Sequence, residues 1–220
     1  SYIKQLYPLL QRNRRNTPLS HFEQNVDPIP LRRRSLGLFL SSAVAHEAPV
    51  VIGNEPQTVY EAVLQDKDNT TVRGTFTTHG AEDGIGIQFR VALTGVPKDT
   101  FLNYHIHDNP VPKDGNCYAT GGHLDPYKRG DRPPCNATEP QTCQVGDISG
   151  KHGPVWTADG NFEVLYRDFF LSNVEDTVAF FGNRSVVVHL PDNTRINCGN
   201  FHLVSDGVEK KEEAKKDQGC

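Results

Sequence analysis

Residues 101–108 read Phe-Leu-Asn-Tyr-His-Ile-His-Asp, and the fold turns on whether this stretch is extended. Its aromatic and β-branched residues, and the turn-forming Asp108-Asn109-Pro110 at its end, mark it as a strand. Side chains alternate along a strand, so His105 and His107 share a face and stand close enough to hold one metal ion. The plainer alternative is a half-exposed strand end carrying two surface histidines. The rest of the chain has to choose between them.

Working outward, the same texture recurs. TVYEAVLQ (58–65), TTVRGTFTTH (70–79) and GIGIQFRVALTG (84–95) precede the stretch, and NFEVLYRDF (161–169), TVAFFG (177–182), RSVVVHL (184–190) and CGNFHLV (198–204) follow it. Each alternates or carries β-branched and aromatic residues, and breaks such as DKDN and GAEDG are turn-rich. Eight short strands without a helical period predict an all-β fold, a sandwich or flattened barrel. Residues 109–155 form a Gly-, Pro- and Cys-rich segment too long for an idle loop. Segments of that length are usually functional or tied down, and this one holds Cys117, His123, Cys135, Cys143 and Asp147.

The chain of 220 residues is 36% hydrophobic and 23% charged, enough for one substantial core. A formal net charge of −4 gives no global attraction to nucleic acid or an acidic membrane, so neither is expected as a partner. No segment approaches the roughly 18–20 apolar residues of a membrane span. Arg32-Arg33-Arg34, the apolar run from Leu36 to Leu40 and Ala43-Val44-Ala45 follow the order of a secretory signal: basic region, apolar core, small-residue cleavage site. A short amphipathic helix with a basic flank is the alternative. Residues 1–45 are therefore read as a leader, signal peptide or disordered extension, 46–206 as the folded domain and 207–220 as a charged, disordered tail. Asn69-Thr70-Thr71, Asn136-Ala137-Thr138 and Asn183-Arg184-Ser185 are acceptor patterns for N-glycosylation. Export implies an oxidising compartment in which cysteines pair. The count of five leaves one over, and Cys220 is the expected orphan.

His123 in GGHLDPY and His189 at the end of SVVVHL are the histidines most suited to join the first pair. His21, His46, His79 and His202 carry no partner pattern and read as surface or structural, and His152 in GKHGPV is a more open case. Taken in order, HIH (105–107), GNCYATGGHLDP (115–126), QVGDISGKHG (144–153), VVVH (186–189) and TRINCG (194–199) resemble the copper-using superoxide dismutases over residues 58–204. That resemblance implies a Greek-key flattened barrel with a long disulfide-tied loop. It implies that His105, His107, His123 and His189 bind one copper ion, a metal that nitrogen-rich sites favour. Arg195 matches the family's anion-guiding arginine, and superoxide, a small anion, is the implied substrate. The resemblance also pairs Cys117 with Cys198, which closes a loop of roughly 80 residues worth about 4–5 kcal/mol in the chain-entropy model. Cys135 and Cys143 then remain for a second bridge, the alternative being two free thiols.

Two departures matter. Copper/zinc members of the family bind zinc in this loop, but here Gln144 stands where a zinc histidine is expected, and YKRGDRPP (127–134) holds no histidine. His123 and Asp147 alone cannot close a zinc site, so no zinc is expected. The link LPDNT (190–194) is also short where those enzymes carry a long charged loop. Both features resemble the fungal extracellular copper-only superoxide dismutases, which usually carry an acidic residue at the Gln144 position. The expected reading is thus a monomeric enzyme, secreted or cell-wall associated. Asp147, directly or through Gln144, is expected to orient His123. The competing readings are a copper-buffering protein on the same scaffold and a purely structural cell-wall protein.

Overall fold

The computed structural model describes residues 47–207, all within the larger of two compact units, Ala43–Cys220. The expected leader with its signal pattern, His21, His46, the tail and Cys220 lie outside the described residues. Seven strands form: β1 (Val59–Val63), β2 (Arg73–Gly80), β3 (Ile87–Thr94), β4 (Asn103–His107), β5 (Phe162–Asp168), β6 (Ser185–His189) and β7 (Arg195–Ser205). Between β4 and β5 lie two short 3-10 helices, Cys117–Thr120 and Pro140–Thr142, and one α-helix, α1 (Ile148–His152). The strands make one antiparallel sheet in the order β4-β6-β7-β1-β2-β3-β5. From β3 the chain crosses to the far edge for β4, returns to β3 for β5, and crosses back to β4 for β6. These are Greek-key connections, and the fold is the all-β architecture expected.

The eighth expected strand is absent. TVAFFG (177–182) is wound into two successive turns, with Phe180 N–H on Thr177 O and Arg184 N–H on Phe181 O. Ala179, Phe180 and Phe181 are all buried, and both phenylalanine rings meet the edge of Tyr60. Three consecutive buried apolar residues describe a plug as well as a strand, and hydrophobicity alone does not separate the two.

Alternation elsewhere does its expected work. Ile87, Phe89, Val91 and Leu93 of β3 face the core, while Arg90 and Thr94 are exposed. Tyr104 and Ile106 of β4 are fully buried, with Tyr104 tilted against Phe76. That leaves His105 and His107 to the other side of β4, where the long segment covers them.

α1 is fastened to β5 by a buried ion pair. Lys151 Nζ lies 2.6 Å from Asp168 Oδ2, with both side chains 0% exposed. His152 Nε2 lies 2.8 Å from the same oxygen, and its ring stacks on Tyr166, so His152 is a structural histidine. Burial alone would raise the Asp168 pKa, but the Lys151 ammonium and the His152 hydrogen bond outweigh it and hold the carboxyl at about 2. An unfolded carboxyl near 3.8 binds its proton first as pH falls, so this stabilisation is complete above about 4 and lost toward pH 2. Replacing Asp168→Asn strands a buried ammonium. In urea melts at pH 7 it should cost about 3–5 kcal/mol and remove this part of the acid-induced loss.

Candidate metal centre

Four histidines from four chain positions meet at one end of the sheet. His105 and His107 lie on the same face of β4, buried to 7% and 0% exposure. His189 ends β6, the neighbour of β4, where it pairs with Asn103 across a one-residue register shift toward β7. His123 arrives on the long segment, which runs antiparallel to β4 at His107. There Leu124 N–H donates to Ile106 O (2.8 Å), Ile106 N–H to Gly146 O (2.9 Å) and Gly146 N–H to Leu124 O (2.8 Å). Gly146 permits this approach, because a Cβ at that position would sit 2.3 Å from Ile106 O.

One nitrogen from each ring lies within 4.8 Å of the other three. What the rings do with their second nitrogen fixes their chemistry. His107 Nδ1 is 3.0 Å from Gly121 O, His189 Nδ1 is 3.3 Å from Asn193 O and His123 Nδ1 is 2.7 Å from Gln144 Oε1. These oxygens can only accept, so each Nδ1 carries the hydrogen and each Nε2 keeps a lone pair. His107 Nε2 and His189 Nε2 then face each other at 3.1 Å with no proton between them. His105 Nδ1 is buried without any partner. Burial foremost holds His107 down to about 3 and His189 at about 4, and it pushes His105 lower still. Burial therefore keeps His105, His107 and His189 neutral at neutral pH. Four converging imidazole nitrogens suit a transition metal, copper above all.

Arg195 opens β7 rather than lying in the turn before it, because β7 begins three residues ahead of Cys198. Its guanidinium donates to Cys117 O (2.8 Å), Thr120 Oγ1 (2.9 Å) and Gly121 O (2.7 Å). The Tyr118 ring lies 5.4 Å from it, in cation–π range. Cys117 is bonded to Cys198 and Cys135 to Cys143, the two bridges expected. The first closes 81 residues and ties the segment carrying His123 to β7. A cleft of about 550 Å³ opens over the histidines, with Arg195, Gln144 and Asp147 in its walls.

The expected link from Asp147 to His123 is not made. The Asp147 carboxylate caps α1 by accepting from Gly150 N–H (2.8 Å) and lies 3.5 Å from His105 Nε2. Gln144 alone reaches His123, and its Nε2 donates to Asp131 Oδ1 at 3.1 Å. Asp131, Tyr118 and Thr120 were missed in the sequence. Asp131 lies in the stretch set aside because it lacks histidine, and the backbone carbonyls of Cys117, Gly121 and Asn193 have no sequence signature. Asn69, Asn136 and Asn183 are all exposed. His79 and His202 lie on β2 and β7, away from the cluster.

Comparison with known proteins agrees with this site. Residues 72–206 match the copper/zinc superoxide dismutase family. The chain is 36% identical to a cell surface Cu-only superoxide dismutase of Arthroderma benhamiae, over 77% of this chain and 52% of the relative, so it spans about half that relative's length. It is 31% identical to cell surface Cu-only superoxide dismutase 5 of Candida albicans, over 79% of this chain and 73% of the relative. The solved Cu(II) structure of Candida albicans superoxide dismutase 5 superposes with a TM-score of 0.62 at 30% identity, covering 70% of this chain and 97% of that one.

Relief of the facing lone pairs predicts a measurable gain. Copper(II) at about 100 times its dissociation constant should stabilise the metal-free protein by about 2.7 kcal/mol. A calorimetric scan should show this as a raised melting temperature, and His107→Ala should abolish the shift.

Proposed function

Because this chain belongs to the copper/zinc superoxide dismutase family, we propose that it dismutates superoxide at or outside the cell surface, with one copper ion and no zinc. The observation that carries the reading is the convergence of four imidazoles, three of them buried, with the second nitrogens of His107, His189 and His123 each bonded to an oxygen. His105, His107, His123 and His189 would hold the copper. Copper bound there would supply the redox chemistry, taking one electron from one superoxide and returning one to the next, which with two protons balances to dioxygen and hydrogen peroxide.

The remaining work belongs to the chain. Superoxide approaches a protein of net charge −4, so long-range attraction does not favour it. Arg195 supplies a fixed local positive charge, its orientation set by two carbonyls and a hydroxyl. A metal-buffering protein gains nothing from a cation held beside a cation, which favours catalysis over storage. The Gln144 amide holds His123 but carries no exchangeable acid proton at neutral pH, so protons enter from water in the cleft. In place of a zinc ion, Gln144 orients His123. Among the described residues, the four histidines are the one cluster with metal-ligand spacing. Cell-surface placement follows the names of the relatives, and Asn69, Asn136 and Asn183 are free to carry glycans.

Metal analysis with the copper optical spectrum, followed by pulse radiolysis, tests the reading. Superoxide dismutases are themselves known to work near the diffusion ceiling of about 10⁸–10⁹ M⁻¹s⁻¹, and the loaded protein should fall in that range. Arg195→Ala should keep its copper, lose about tenfold in rate at low salt and show a flatter salt dependence. A wild-type rate no better than that of Arg195→Ala would instead point to copper buffering.

A further inference from the structure

We propose that Asp131 is a positioning residue that sets the direction of the Gln144 amide and, through it, which nitrogen of His123 is free for the metal. The proposal deepens the four-histidine reading and rests on it. A glutamine amide has two ends of nearly equal size, one that accepts and one that donates. With Oε1 toward His123 Nδ1 at 2.7 Å, Nδ1 carries the hydrogen and the Nε2 lone pair is available. Turned half a rotation, the amide would offer an N–H to Nδ1. His123 would then hold its lone pair there and its hydrogen on Nε2, which would close that nitrogen to a metal. The imidazole cannot make this choice, because it adopts whichever tautomer its partner asks for.

The choice is made on the far side of the amide. Gln144 Nε2 lies 3.1 Å from Asp131 Oδ1 and 3.4 Å from Asp125 Oδ2. Carboxylates only accept, so the donor end of the amide must face them. Asp131 is the stronger hold: it is nearer, and its Oδ1 has no other hydrogen bond among the described residues. Asp125 Oδ2 already accepts Gly130 N–H at 2.7 Å, and Oδ1 accepts Arg129 N–H at 3.0 Å. Asp125 thus shapes the turn that brings Asp131 into reach. Gln144 is itself largely buried, at 8% exposure, so little water competes for its orientation. A carboxylate at position 144 would need no such help, since either of its oxygens accepts from Nδ1.

The test compares wild type, Asp131→Ala, Gln144→Glu and the double variant. Nitrogen-15 imidazole spectra of the metal-free proteins report which His123 nitrogen is protonated, and competition titration reports copper(II) affinity. Asp131→Ala should move hydrogen from Nδ1 to Nε2 in part of the population and lower copper affinity about tenfold, the scale typical of groups that orient metal ligands. Adding Gln144→Glu to Asp131→Ala should return both readouts toward wild type. An unchanged tautomer and affinity in Asp131→Ala overturns the proposal. So does a loss that Gln144→Glu fails to restore, because loop distortion rather than amide direction would then be responsible. Wild-type protein that took up no copper would overturn the metal reading alone, and the tautomer populations would still decide the role of Asp131.

Discussion

Three oxygen atoms that can only accept hydrogen bonds decide the character of this site. Gly121 O, Asn193 O and Gln144 Oε1 each take the Nδ1 hydrogen of one histidine, so the opposite nitrogens are left with lone pairs and no donor to share them. A buried polar atom without a partner costs about 1–3 kcal/mol, and here several such atoms face one another. The sheet, the bonds of the second nitrogens and the Cys117–Cys198 bridge together hold the rings in this arrangement. A copper ion at the cluster would give those lone pairs a partner.

The same carbonyl that fixes one of the clustered histidines also holds the Arg195 guanidinium. Gly121 O accepts from His107 Nδ1 at 3.0 Å and from the Arg195 guanidinium at 2.7 Å. Gly121 has φ +76°, a conformation that L side chains rarely adopt, and a Cβ there would lie 2.8 Å from Asn109 Nδ2. Cys117 O takes another Arg195 donor, and the Cys117–Cys198 bridge anchors that segment to the strand Arg195 begins. Ligand tautomer, guanidinium position and covalent tie therefore form one mechanical unit. A change at any of the three should be felt at the other two.

Much of this was legible in the sequence, and what was not has physical reasons. Period-two alternation marked β3 and β4 well because each has one face in the core and one face turned elsewhere. It misled at Ala179-Phe180-Phe181, where three neighbours are buried together by turns. The four histidines and the cysteine pairs could be placed from motif order alone, since each ligand and each thiol is an identifiable side chain. The groups that orient them are mostly backbone carbonyls, which every residue owns and no pattern reports. Asp147 shows the same limit from the other direction: its motif position suggested a partner for His123, but its carboxylate is occupied by the first turn of α1 and lies beside His105 instead.

Replacing an acidic group by an amide at position 144 relocates a charge rather than deleting it. The carboxylate on this side of His123 stands one hydrogen bond beyond the amide, on Asp131, 3.1 Å from the Gln144 nitrogen. Coulomb energy falls with distance, and screening grows as charges approach solvent. On the proposed function, an anion drawn in by Arg195 would meet a neutral amide beside His123, while the nearest carboxylate at the histidines is Asp147, 3.5 Å from His105 Nε2. The exchange removes an ionisable group from beside His123, and with it a proton carrier. A cleft of about 550 Å³ is roomy enough for ordered water to take over that transfer. On this reading, reliance on solvent protons follows from the amide at position 144, and the orienting carboxylate at Asp131 is the condition that lets the amide serve.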